Sequence, residues 1–254
     1  MPKHIAVIMD GNRRYGKEEL NDPLQGHWTG LQTFLDFTQW CLSYNITTLT
    51  AYAFSTENWS RDEKEVEILM SLFIKYAESF KEEALKKGIR VKIFSTEFDR
   101  LPARVQASVL DLQQSTAQNK AFTVNFCLSY GSRGEIVNSV KQIVHRVMDK
   151  QIDVGEIDES TVSQSLLSQG CGDPDILIRT SGEYRLSNFL LWQVGVCVWI
   201  CVWVWLYVWL YVWVWVWVWV WVWVWVWVWV WVYVMACFSY LPFPPSLPTP
   251  SCSL

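Results

Sequence analysis

HIAVIMDGNRRYGK, residues 4–17, runs a short apolar segment, HIAVIM, straight into a polar loop, Asp10-Gly11-Asn12-Arg13-Arg14. A short apolar run bounded by turn residues reads as a strand buried on both faces. The same unit recurs along the chain. Ile46 to Phe54 leads into Ser55-Thr56-Glu57-Asn58-Trp59, and Ile89 to Ser95 forms a third run. Phe122 to Ser129 ends at Tyr130-Gly131-Ser132-Arg133, and Asp175 to Arg179 is a fifth. Helical patterns lie between them. One is predicted over Leu24 to Tyr44, and a second opens at Ser60, whose spacing to Glu63 is that of a capping box. In the second, Val66, Leu69, Met70, Phe73, Ala77 and Phe80 form one apolar stripe. Further helices are predicted after Pro102, from Ser132 (paired with Glu135 as a cap) to about Met148, and over Glu159 to Ser168. Strand alternating with helix predicts an α/β fold, a central, mostly parallel sheet with helices on both faces.

Composition divides the chain. Of 18 Trp, only Trp28, Trp40, Trp59 and Trp192 lie outside Val198 to Val234, and residues 186–254 carry no Asp, Glu, Lys or Arg. The expected organisation is a domain over 1–193, an apolar Val-Trp low-complexity tract over 194–238, and a Pro/Ser-rich disordered tail over 239–254. The tract admits three readings: translated simple-sequence DNA, which yields such a repeat without selection on protein; a membrane segment, since it exceeds one bilayer span; or a β structure with both faces apolar. Net charge −4 gives no footprint for nucleic acid. Seven Cys without a CxxC pair, and three His, argue against a zinc site and suit a reducing compartment. Ile5 to Met9 is too short an apolar run for a signal peptide.

The polar clusters all follow strands, at the C-terminal edge where open α/β sheets bind ligands. They hold Asp10, Asn12, Arg13 and Arg14; Ser55, Asn58 and Arg61; Arg133; and Arg179, Ser181, Arg185 and Ser187. Taken singly, each is ordinary: an Arg solvated at the surface, Asp10-Gly11 a turn, His27 a structural helix residue. Together, several Arg, hydroxyls and one early Asp are what a diphosphate needs, with forked guanidinium groups on phosphate oxygens and a carboxylate able to share Mg²⁺ with them. Neither GxxxxGK[ST] nor GxGxxG occurs, which excludes a P-loop and a dinucleotide fingerprint.

HIAVIMDGNRRYGK (4–17), GH (26–27), YAFSTENWSR (52–61), YGSRGEI (130–136) and DPDILIRTSGEYRLSNFLLWQ (173–193) resemble, in order, the motifs of cis-prenyltransferases, the undecaprenyl and dehydrodolichyl diphosphate synthases. Arg13 and Tyr15, with RTSGE at 179–183, look closer to dolichol-pathway members.

The resemblance implies a transferase that condenses isopentenyl diphosphate with a farnesyl-type allylic diphosphate, with Z geometry and Mg²⁺. It implies that Asp10 binds the metal and organises the leaving group, and that Gly11, Asn12, Arg13, Arg14 and Tyr15 cradle the allylic diphosphate with His27 in support. Arg179, Arg185 and Ser187 would hold isopentenyl diphosphate. Ser55 and Asn58 would assist positioning and proton loss, with Trp59 and Arg61 on the same loop. The stripe from Val66 to Phe80 would line the product tunnel, or simply pack as core. Family members are homodimers or heteromers, and the lipid product implies the cytosolic face of the endoplasmic reticulum. Beyond Gln193 the resemblance stops, so the family's C-terminal strand, closing helices, dimer face and RxG motif are expected to be missing. The alternatives are an inactive, truncated or mis-spliced product, or a subunit whose partner supplies RxG.

Overall fold

A computed structural model describes residues 1–195 and 198–201. The chain divides into two units, Met1–Trp203 and Val204–Leu254, and every described residue belongs to the first. Apart from Val194, Gly195 and 198–201, the expected low-complexity tract and Pro/Ser-rich tail lie outside the described residues.

Five strands, β1 (His4–Ile8), β2 (Thr48–Ser55), β3 (Ile89–Phe94), β4 (Phe122–Tyr130) and β5 (Ile176–Arg179), fall where the apolar runs predict them. All pair in parallel, and with β6 (Val198–Cys201) the sheet order is β3-β4-β2-β1-β5-β6. The resemblance left the sheet without its closing strand. That edge of β5 is occupied by β6, the first residues of the alternating tract, whose β-branched content suits extended backbone.

Parallel pairing buries both faces, and the period of two sorts the side chains. Ile5 and Val7 join one core with Leu49, Ala51, Val91 and Phe126, whereas Ala6 and Ile8 join the opposite core with Tyr52, Cys127 and Leu177. On the first face lie α2 (Pro23–Ser43), α3 (Glu63–Lys87) and α4 (Ala103–Ser115), which contribute Phe34, Phe80 and Leu112. Burying each such side chain is worth about 1.5–3 kcal/mol, enough to outweigh the weak helix propensity of aromatic residues. On the second face, α5 (Ser132–Met148) packs with α6 (Glu159–Gln164).

Three local expectations are corrected. The loop Asp10–Arg14 turns directly into a helix, α1 (Asn12–Glu19), capped by Gly11. The capping box before α3 is not Ser60/Glu63: Asp62 caps that helix on the Lys64 N–H, and Ser55 with Asn58 forms the box, opening a 3-10 turn over Thr56–Ser60. Ser132 makes no box with Glu135 either. Gly131 is the N-cap, and the buried Glu135 carboxylate instead accepts from Tyr130 Oη (2.5 Å), Leu167 N (3.0 Å) and Gln193 Nε2 (3.1 Å). A carboxylate reaches the box only if the preceding backbone offers it a donor, and here stronger buried donors compete.

His4 opens the sheet with a buried polar chain. Its Nδ1–H donates to the Gly172 carbonyl (2.9 Å), and its Nε2 accepts from Thr50 Oγ1 (2.7 Å), which itself accepts from Asn125 Nδ2 (2.9 Å). Burial lowers the His4 pKa from the ordinary value, outweighing the Gly172 bond and the Asp175 charge, which act to raise it. The unfolded chain therefore binds this proton more readily than the folded one. Its stabilising contribution is complete above about pH 6.5 and is lost as pH falls through the lower folded value. The urea midpoint is expected to be lower at about pH 5.5 than at about pH 7.5, and His4→Gln should narrow that difference.

Candidate functional site

The strand order reverses direction at β1, with β2 on one side and β5 on the other, and the polar clusters converge there. Thr180, just beyond β5, clamps the Asp10 backbone: its Oγ1 accepts from Asp10 N (2.9 Å) and donates to Asp10 O (2.7 Å). Gly11 takes φ +92°, and a Cβ there would lie 2.6 Å from Ser181 Oγ, so only glycine fits. The Asp10 carboxylate accepts from Gly11 N (2.8 Å) and from Arg179 Nη2 (2.7 Å). Burial raises the Asp10 pKa, but the Arg179 and Gly11 bonds, with the charges of Arg179 and Arg14, hold it below the usual carboxylate range. Asp10 is therefore an anion at neutral pH. Arg179 is 6% exposed, with Nη1 on Ser187 Oγ (2.9 Å) and on the Arg185 carbonyl, while its Nε is buried without an acceptor.

Arg13 and Arg14 are aimed by the packing of α1 on α2. A Cβ on Gly26 would stand 2.0 Å from Asn12 O and 2.8 Å from Gly16, and one on Gly30 would stand 2.5 Å from Asn12 Oδ1. The GH pair thus owes its glycine to helix contact. Gly26→Ala is expected to cost about 1–3 kcal/mol by overpacking, read as a lower melting temperature. Arg14 Nη2 donates to Ser181 Oγ (2.6 Å). Glu65, in the first turn of α3, bridges Arg13 (2.9 Å) and Arg61 (3.2 Å). His27 sits beside them. Burial first, then the Arg61 and Arg13 charges, lower its pKa against the opposing Glu65, so its imidazole is neutral at pH 7.

The loops after β2 and β5 meet over this pocket. Ser55 Oγ accepts from Asn58 N (3.2 Å) and Asn58 Oδ1 from Ser55 N (3.1 Å), which fixes the turn that carries both side chains. Tyr52 Oη donates to the carbonyls of Tyr130 and Ser187, each at 3.1 Å. Ser187, Asn188 and Leu190 all have positive φ, of 49°, 62° and 44°. Left-handed backbone is uncommon for non-glycine residues, and for a bulky Leu it is strained, as functional loops often are.

The result is a cavity of about 770 Å³. Asp10, Gly11, Asn12, Arg13, Arg14, His27, Ser55, Asn58, Arg61, Arg179, Arg185 and Ser187 all line it, and so does Arg133. Two expected site residues do not. Tyr15 points to solvent at 47% exposure. Trp59 turns away, donating to Ser129 Oγ (2.8 Å), packing edge-on to Phe54 and lying under the Arg100 guanidinium, 4.9 Å from its centroid. The α3 stripe divides likewise. Leu69, Phe73 and Ala77 reach the cavity together with Leu72 and Tyr76, while Val66, Met70 and Phe80 pack elsewhere. The cavity is thus cationic at its rim, at the strand ends, and apolar where Phe34, Tyr76, Leu112 and Phe126 form the wall. The sequence reading missed Thr180, Glu65, Glu57 and Asn188. Thr180 lies within a quoted motif but carried no distinguishing chemistry, and the carboxylates act by neutralising or holding arginines and amides.

Residues 8–208 match the family described as "Putative undecaprenyl diphosphate synthase". The chain is 41% identical over 196 residues to a tritrans,polycis-undecaprenyl-diphosphate synthase (geranylgeranyl-diphosphate specific) of Thermococcus kodakarensis, covering 76% of this chain and 74% of the relative. It is 41% identical over 193 residues to a ditrans,polycis-undecaprenyl-diphosphate synthase ((2E,6E)-farnesyl-diphosphate specific) of Micrococcus luteus, covering 76% and 77%. Among solved structures, lavandulyl diphosphate synthase from Lavandula x intermedia, in complex with dimethylallyl diphosphate, superposes with TM-score 0.75 at 30% identity, over 78% of this chain and 86% of that one.

Proposed function

We propose, from the premise that the chain belongs to the undecaprenyl diphosphate synthase family, that it condenses isopentenyl diphosphate with an allylic diphosphate to extend a Z-polyprenyl diphosphate. The observation that carries this reading is one cavity with Asp10 and six arginines at its rim (Arg13, Arg14, Arg61, Arg133, Arg179 and Arg185) and an aromatic and aliphatic wall behind. A diphosphate head and a hydrocarbon tail need that division. The finer reading is a dehydrodolichyl-type product, on the strength of Arg13, Tyr15 and the RTSGE segment, made at the cytosolic face of the endoplasmic reticulum.

Each part of the site has a task in this chemistry. The N–H groups at the start of α1, with Arg13 and Arg14, hold the allylic diphosphate, since a helix N-terminus favours an anion. Arg185 and Ser187 hold isopentenyl diphosphate, and Arg179 ties that subsite to Asp10. Ser55 and Asn58 orient the homoallylic carbon and assist loss of its proton. The apolar wall excludes water as positive charge develops on the allyl group, and the preorganised arginines stabilise the departing diphosphate.

Among the described residues there is no cluster of three or more His, Cys, Asp or Glu to cage a metal. Asp10 alone fits Mg²⁺, because this ion binds through one or two carboxylates and completes its shell with substrate phosphates and water. Asp10 is ionised and partly open to solvent, as that role requires. When bound, Mg²⁺ supplies charge neutralisation at the leaving diphosphate.

The test is incorporation of labelled isopentenyl diphosphate by the purified chain in detergent with Mg²⁺. Slow incorporation is expected from the chain alone. A chimera carrying a relative's C-terminal segment in place of 194–254 should incorporate faster. A chimera with no incorporation above background would sink the proposal.

A further inference from the structure

We infer that Asn188 is a positioning residue that joins the loop after β2 to the isopentenyl diphosphate subsite through Glu57, an inference that rests on the function proposed above. Three segments from three strand ends meet on this one side chain. Its Nδ2 donates to Glu57 Oε1 (2.8 Å) in the turn after β2, and its Oδ1 accepts from Arg133 N (2.9 Å) at the start of α5. Its carbonyl accepts from Ser132 N (2.8 Å). One end of the side chain meets a backbone donor and the other a carboxylate, and an amide satisfies both at once.

The surroundings are shaped to admit it. A Cβ on Gly131 would lie 2.6 Å from Asn188 Nδ2 and 2.6 Å from Thr56 Oγ1, so the glycine that caps α5 is also the space in which the amide and the β2 loop pack together. Asn188 has φ +62°, a conformation asparagine tolerates better than other non-glycine residues. Its neighbours are the working groups. Ser187, immediately before it, holds Arg179. Glu57 shares the 3-10 turn with Asn58, and Arg133 lines the same cavity.

The consequence is geometric. Isopentenyl diphosphate is held by Arg185 and Ser187 on the β5 side, while Ser55 and Asn58 approach it from the β2 side. The Asn188–Glu57 bond, together with the Tyr52 Oη bond to the Ser187 carbonyl, sets the distance between these halves, and it is the one of the two made in the turn that carries Asn58. A displacement of about 1 Å between reacting groups costs on the order of 10²-fold in rate.

The bond is chemically reversible, which makes it testable. Asn188→Asp sets an anion against Glu57, and the double variant Asn188→Asp/Glu57→Gln restores a donor from the opposite side at the original net charge. Asn188→Asp/Glu57→Ala restores the charge without the bond. Binding of inorganic pyrophosphate to the full chain in detergent is measured by calorimetry, with incorporation kinetics in the chimera. Asn188→Asp should weaken pyrophosphate binding about tenfold and raise KM for isopentenyl diphosphate, with kcat down on the order of 10²-fold. Asn188→Asp/Glu57→Gln should recover to within about threefold of wild type, and Asn188→Asp/Glu57→Ala should not. Equal recovery in both double variants, or wild-type behaviour of Asn188→Asp, overturns the inference alone. A wild-type chain that binds no pyrophosphate overturns the proposed function and the inference with it.

Discussion

Asp10→Ala is expected to abolish incorporation, by about 10³-fold or more in the chimera, and to cost about 3–5 kcal/mol of stability. Both effects come from one contact. Arg179 has 7% side-chain exposure, and the Asp10 carboxylate is the anion set against it, at 2.7 Å. Removing the carboxylate leaves a desolvated guanidinium whose Nε already lacks an acceptor. Its remaining partners, Ser187 Oγ and the Arg185 carbonyl, are neutral. On the proposed function the rate falls because the site loses the carboxylate that would share Mg²⁺ and because the donor to Ser187 is no longer fixed. Chemical denaturation and labelled incorporation measure the two losses separately. An Asp10→Ala protein with wild-type stability would show that Arg179 is not held by this pair.

Arg179→Met is expected to be asymmetric with it. Asp10 has 29% side-chain exposure, so when the cation is removed water still reaches the anion. The stability loss should therefore be smaller, about 1–2 kcal/mol. Activity should nevertheless fall about 10²–10³-fold, with most of the change in KM for isopentenyl diphosphate, because Ser187 and Arg185 lose their common anchor. The pH dependence gives a second readout. The folded Asp10 pKa lies below its unfolded value, so its contribution is present above the ordinary carboxylate range and is lost as pH falls through the folded value. Without Arg179, burial acts with less opposition and the Asp10 pKa rises. The acid-side loss of stability that Asp10 contributes should therefore shrink in Arg179→Met, read by chemical denaturation across pH without added metal.

The sheet and the gathering of Asp10 and the arginines at its strand ends could be read from the sequence because both rest on local patterns. Each strand is a short apolar run, and each polar cluster follows one. What could not be read depends on contacts far along the chain. Asp10–Arg14 has the composition of a loop, yet α1 forms because Gly11 caps it and Gly16, Gly26 and Gly30 let it lie against α2. Ser60 and Ser132 had capping-box spacing, but Asp62 and Gly131 hold the N-cap positions, and Glu135 answers to buried donors from Tyr130, Leu167 and Gln193. Trp59 lies in an active-site motif by resemblance, while its indole serves the packing of Ser129, Phe54 and Arg100. Asn188 and Glu57 sit 131 positions apart, a distance at which no spacing rule operates.

The pairing of β1 with β5 also sets an order of events during synthesis. His4 N bonds to Asp175 across 171 positions, so one edge of the first strand made stays open until almost the whole domain has been translated. At roughly 5–20 residues per second, that edge waits on the order of ten to thirty seconds. Over that interval a run as apolar as HIAVI is an unpaired template for a neighbouring chain. The contacts of Thr180 and Arg179 with Asp10 can form only after β5 is made, and nascent chains released before Ile176 would carry an open β1 edge in place of that cluster.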